Sequence, residues 1–133
     1  MADTLERPLV ALVGGGTLLA REIQDLLHEA KPAPRIELIS ASAIDAAVLG
    51  ANEDEPIVMS PLTPESLAGA SVAFLAGSQA SSRKALRMNA DDGPVLIDLT
   101  GALEDQPSAR LRAPFAEPEG ADGADARVQI VAH

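Results

Sequence analysis

The stretch "PLVALVGGGTLLAREIQDLL", Pro8 to Leu27, decides the fold. An apolar run, Leu9–Val13, ends in Gly14, Gly15 and Gly16 and opens directly into a helical pattern. From Thr17 onward, Leu19, Ile23, Leu26, Leu27 and Ala30 recur at helical spacing, leaving Arg21, Glu22, Gln24, Asp25 and Glu29 for solvent. Pro32 and Pro34 stop the helix. The stretch therefore reads as a buried strand, a glycine turn and an amphipathic helix.

The same alternation continues. "RIELISA" (35–41) is a second strand, and "EPIVMSP" (55–61) a third, short and at an edge because of its prolines. In "TPESLAG" Thr63 caps a helical turn, with Pro64 at its first position and Ser66 at its third. "SVAFLAG" (71–77) is a fourth strand, 81–90 carries a helical pattern, and "GPVLIDL" (93–99) is a fifth strand. Residues 106–126, rich in Pro, Ala, Gly and acid, read as irregular loop before the sixth strand, "RVQIVAH". Strands apolar on both faces and separated by helices predict one α/β domain over residues 1–133. Its sheet should be parallel and doubly wound, with about six strands and helices on both faces.

Composition narrows the function. The chain is 47% apolar, which suits a folded globule, but Phe74 and Phe115 are its only aromatic residues. The core must be built from Ala, Leu, Val and Ile. A net charge of −10 disfavours nucleic acid and anionic membrane as partners. With no cysteine, the chain has no disulfide, thiolate metal site or Cys nucleophile. Neither a basic leader nor a membrane-length apolar run is present in the sequence, so a cytoplasmic protein is expected.

In a doubly wound sheet the ligand crevice lies beyond the carboxyl ends of the strands. Small residues occupy that edge at Gly14–Thr17, Ser40–Ser42, Gly77–Ser82 and Asp98–Ala102. A glycine turn lets a diphosphate approach bare backbone, and the helix start adds N–H groups and partial positive charge. Gly14, Gly15, Gly16, Thr17 and Leu18 are the candidate diphosphate contacts. The G-x-G-x-x-G spacing is imperfect: counted from Gly14 it meets Leu19, and counted from Gly15 its middle glycine is Thr17. At the second tip Ser40 and Ser42 stand where a ribose would lie, with no charge beside them. Ala76, Gly77 and Ser78 form the third tip.

These segments, in this order, resemble the N-terminal cofactor-binding domain of the semialdehyde dehydrogenases. Aspartate-semialdehyde dehydrogenase is the nearer member and N-acetyl-γ-glutamyl-phosphate reductase the more distant one. "VALVGGGTLLAREIQDLL" is similar to the family's V-G-A-T-G-x-V-G opening, and "IELISASA" to a strand ending in a Ser-rich, often Arg-bearing turn. "ASVAFLAGSQASS" resembles a D-V-x-F-x-A strand with a small-residue loop, and "GPVLIDLTGAL" the family's V-I-D-x-S-S-A-F-R. The resemblance implies a Rossmann-like domain that binds NADP or NAD. It also implies reductive dephosphorylation of an acyl phosphate through a cysteine thioester, a step of amino-acid biosynthesis. The family cysteine follows the sixth strand, and this chain stops at "IVAH" where that turn would begin. A catalytic domain, through which a homodimer would form, is therefore expected outside the 133 residues. Departures from the pattern are Thr17 and Ala20 at fingerprint glycines, Ser42 or Ala43 at the 2′-phosphate arginine, and Glu104 at the substrate arginine.

Several residues admit two roles. Asp98 either bonds neighbouring backbone amides or touches a ligand. Ser78, Ser81 and Ser82 either cap the next helix or meet the nicotinamide half. Arg83, Lys84 and Arg87 form a solvated helix face or a phosphate contact, and His28 suits a helix C-terminus better than catalysis. Two functions follow: the dinucleotide-binding part of a semialdehyde dehydrogenase-like oxidoreductase, or a non-catalytic relative that keeps the fold for assembly or regulation. An unrelated doubly wound domain, with glycines serving only the turn, is the third reading.

Overall fold

Four consecutive residues of the first strand, Val10 to Val13, are buried, as a central parallel strand requires. The computed structural model describes residues 7–41, 59–113 and 126–131. In chain order they form β1 (Leu9–Val13), α1 (Leu18–Glu29), β2 (Arg35–Ile39), α2 (Pro64–Ala68), β3 (Val72–Leu75), α3 (Gln79–Met88), β4 (Val95–Asp98), β5 (Ala109–Arg112) and β6 (Val128–Val131). All strand pairs are parallel, in the order β2-β1-β3-β4-β6-β5. The winding runs one way from β1 to β2 and the other way from β3 to β4. The direction reverses between β1 and β3, which opens a crevice at their carboxyl ends.

The register sorts the core into rows. Ala11, Ala73, Leu96 and Val128 lie side by side across four strands, and Val13, Leu75, Asp98 and Ile130 form the next row. The apolar members of these rows cluster with Leu67 of α2, Ala85 of α3, and Ala102 and Leu103. Val10, Leu12 and the α1 residue Ala20 are buried outside that cluster, so helices cover both faces. Leu12, Leu67, Leu75, Leu96 and Leu103 are fully buried and each contributes about 1.5–3 kcal/mol.

The local signals for α2 are realised in full. Thr63 accepts from Ser66 N–H, Ser66 Oγ accepts from Thr63 N–H, and Pro64 begins the helix. The third predicted strand contributes only an isolated parallel bridge between Ser60 and Ile39, and residues 55–58 lie outside the described ones. The expected loop over 106–126 is corrected by β5, an edge strand paired with β6 alone. In "ARLR" Ala109 and Leu111 alternate with two arginines; Ala109 packs against the core but Leu111 stays exposed, so this edge strand buries little and rests mainly on backbone pairing with β6. Residues 114–125 of that stretch are outside the described residues.

The helix α1 is rotated from its apolar stripe. Ala20 is buried and Ile23, Gln24 and Leu27 are half-buried, whereas Leu26 is 67% exposed and Leu19 41%. The cause is at the helix start. Thr17 donates its hydroxyl to Ala76 O, 3.0 Å away, and residues three, seven and ten positions later share its side of the helix. A Leu26→Lys substitution is therefore expected to change unfolding free energy by less than about 0.5 kcal/mol. Leu12→Ala should remove about 2–5 kcal/mol, both read by urea denaturation.

Candidate functional site

The junction of the strand tips leaves no room for a side chain at either of its two glycines. Gly14 has φ +87°, and a Cβ there would lie 2.5 Å from the Cα and N of Gly77. A Cβ on Gly77 would meet Ala41 Cβ at 2.9 Å and Ser81 Oγ at 2.8 Å. The tips of β1, β2 and β3 thus converge at Gly14, Ala41 and Gly77. Any larger residue at either glycine would fill the junction or push the strands apart.

The first two glycine amides point inward. Gly14 N–H and Gly15 N–H both donate to Ile39 O, at 2.8 and 3.0 Å, and Thr17 N–H donates to Gly14 O at 2.9 Å. These donors continue the sheet and close the turn. Among the described residues, the amides of Gly16, Leu18 and Leu19 have no backbone acceptor. Thr17 caps the helix by accepting from Ala20 N–H at 3.1 Å. Its hydroxyl, expected at the diphosphate, is held between that amide and Ala76 O. Leu18 is 73% exposed at the first position of α1. The amides at this turn without a backbone acceptor are thus those of Gly16, Leu18 and Leu19, one step later than the glycine run itself suggests.

The other tips are placed as follows. Ser40 is buried and its N–H donates to Ser60 O, 2.9 Å away, while Ser42 lies outside the described residues. Ala76 is buried, and Gly77 and Ser78 lead to the exposed start of α3. Ser78 accepts from Ser81 N–H and Ser81 Oγ accepts from Ser78 N–H, each at 3.0 Å, so both serines serve the cap.

Asp98 takes its structural role. Its fully buried carboxylate accepts from Thr100 N–H (2.9 Å), Thr100 Oγ1–H (2.6 Å), Leu103 N–H (3.0 Å) and Ser82 Oγ–H (3.3 Å). A buried charge is tolerated only with such a complement of donors. The sequence marked Asp98 and Ser82 but not their link through Thr100, whose only signal is the "DLT" spacing of an Asx turn. Arg83, Lys84 and Arg87 are exposed along α3, and His28 is exposed at the last turn of α1. Among the described residues no group of three or more His, Asp or Glu is placed to hold a metal ion, and no helix is long and apolar enough to cross a membrane.

The molecule is a doubly wound α/β domain of the Rossmann-like class, with its crevice at the β1–β3 reversal. Solved structures share this fold. Aspartate semialdehyde dehydrogenase II from Vibrio cholerae, complexed with ASA, superposes with a TM-score of 0.69 at 17% identity, over 96% of this chain and 42% of that one. A probable aspartate-semialdehyde dehydrogenase from Pseudomonas aeruginosa gives 0.70 at 21% identity, over 95% of this chain and 37% of its own. The chain thus spans about two fifths of the length of these neighbours. No protein-family model and no curated protein matches the sequence.

Two substitutions test the glycine junction and the Asp98 network in turn. Gly14→Ala should lower stability by more than about 2 kcal/mol in urea denaturation, because it adds a left-handed φ penalty to a backbone clash. Asp98→Asn keeps the volume but turns one acceptor into a donor facing an amide. It should cost about 2 kcal/mol by the same measurement.

Proposed function

We propose that the chain is the dinucleotide-binding part of an aspartate-semialdehyde dehydrogenase-like oxidoreductase. One observation carries this reading: a tight backbone junction of Gly14 and Gly77, with the Ala41 methyl beside it, lies next to the amides of Gly16, Leu18 and Leu19, which have no backbone acceptor among the described residues. The fold shared with two aspartate-semialdehyde dehydrogenases supports it. In this reading NAD or NADP lays its diphosphate over Gly16–Leu19, its adenosine ribose beside Ser40–Ser42 and its nicotinamide half beside Ala76–Ser78.

A bound reduced nicotinamide would supply a hydride. The chain's own work is to bind and orient: the amides and the α1 dipole neutralise the diphosphate, and the tight Gly14–Gly77 junction sets the depth at which it rests. The reaction proposed for the whole protein is reductive dephosphorylation of an acyl phosphate through a thioester. With no cysteine among the 133 residues, this chain provides the cofactor and not the nucleophile. The proposed setting is cytoplasmic, with a homodimer formed through the remainder of the protein and no nucleic-acid or membrane partner. The alternative, a non-catalytic relative kept for assembly or regulation, draws support from the internal commitment of the Thr17 hydroxyl and Asp98 carboxylate.

Calorimetric titration of the full chain with NADH and NADPH separates these readings. Saturable binding of at least one, with Kd below about 1 mM, is expected, and silence at millimolar ligand removes the dinucleotide reading. Leu18→Glu sharpens the test. A carboxylate in the first turn suits the helix dipole and should leave stability unchanged or slightly raised, yet it should weaken the dinucleotide about tenfold by occupying the anion position.

A further inference from the structure

We infer that the chain self-associates head to tail, the outward face of α1 on one copy docking against the outward face of α3 on the next. The inference is independent of the dinucleotide reading and rests on two charged helix faces that stand away from the sheet.

On α1, Leu19, Glu22, Leu26 and Glu29 recur at intervals of three and four residues and so form one stripe along the helix. All four are exposed, because the Thr17 bond turns Ala20 and Leu27 toward the sheet instead. The stripe alternates apolar and anionic side chains. Arg21 lies off it and already interacts with another group. On α3, Ala80, Arg83, Lys84 and Arg87 fall at positions i, i+3, i+4 and i+7, again on one face, and all are exposed. The helix contains no Asp or Glu, so three of the ten Lys and Arg residues of an acidic chain stand together without a counter-charge on their own helix. None of the charged residues on these two stripes forms an ion pair with another described residue.

Charge selects the pairing. Two α1 faces would oppose carboxylates and two α3 faces would oppose cations, and like-charge juxtaposition is costly. The α1 face against the α3 face is complementary. Both helices run against the strand direction, so copies stacked in one orientation place them parallel. Ala80 then meets Leu19, Arg83 meets Glu22, and Arg87 falls beside Leu26, about 4.5 Å along the axis from Glu29 and within a side chain's reach. The arginine stems cover Leu26 while their guanidinium groups pair with the carboxylates. Ala20 of α1 is buried with Val10 and Leu12, and Ala85 of α3 with the core cluster on the other side of the sheet. Each copy therefore offers both faces at once, and the contact extends from copy to copy instead of closing in a dimer. One helix pair buries less than the ~1,200 Å² of a stable interface, so the association is weak and reversible.

Sedimentation velocity of the full chain, from about 5 µM to about 500 µM, provides the test. At low salt the mean mass should rise with concentration past that of a dimer, without a plateau. In about 1 M NaCl, where the Debye length is ~3 Å, the apparent Kd should weaken at least about tenfold. Arg83→Glu with Arg87→Glu, and separately Glu22→Lys with Glu29→Lys, should each abolish association, with the fold checked by circular dichroism. An equimolar mixture of the two double variants should associate again, because the acidic α1 of the first meets the basic α3 of the second. Leu26→Lys, which leaves stability nearly unchanged, should also weaken association about tenfold. A monomer at every concentration overturns the inference, as does a plateau at the dimer or association indifferent to salt. Association that persists in either double variant, or a mixture that stays monomeric, overturns it as well.

Discussion

The close approach of two backbones, Gly14 after β1 and Gly77 after β3, is the constraint on which the rest of the molecule depends. With a Cβ at Gly14 placed 2.5 Å from Gly77, no side chain fits between the strand tips. Because the tips meet there, Thr17 can reach Ala76 O and Ile39 O can receive two glycine amides. Those bonds fix the angle at which α1 leaves the turn and the face it turns to the sheet. The bare backbone at these two glycines is thus a consequence of packing.

Around that floor, polar groups are satisfied locally. Caps at Thr17, Thr63 and Ser78 secure the three helix starts, and Asp98 gathers four donors to hold the loop after β4 against α3. A core short of aromatic mass, built on alanine, leucine, valine and isoleucine, needs this precision because small residues leave little depth of burial to spare. Among the described residues of the glycine turn, the amides of Gly16, Leu18 and Leu19 have no backbone acceptor, in a chain of net charge −10.

Sequence reading located most of the elements because their signals are local. Leu9–Val13 is continuous and apolar, Pro32 ends one helix, and Thr63-Pro64 begins another. It missed β5, whose four-residue alternation at 109–112 is too short to stand out within an acidic, Pro- and Gly-rich stretch and is ordered by a neighbour in space. The α1 apolar stripe centred on Leu19 and Leu26 was visible too, but the half of it facing the sheet was not. At the site, the glycine turn and the small-residue tips were legible, whereas the donors that remain for a ligand were not.

The amino-acid sequence by itself determined the parallel doubly wound class, the Thr63-Pro64 helix start, the glycine turn and the absence of a thiol. These follow from period, capping chemistry and composition, each set within a few residues. Tertiary structure alone decided that Gly14 and Gly15 serve Ile39, that the Thr17 hydroxyl faces Ala76 and that Asp98 collects its donors from Ser82, Thr100 and Leu103. A hydrogen bond across 59 residues depends on which strands become neighbours, and that choice belongs to the sheet as a whole.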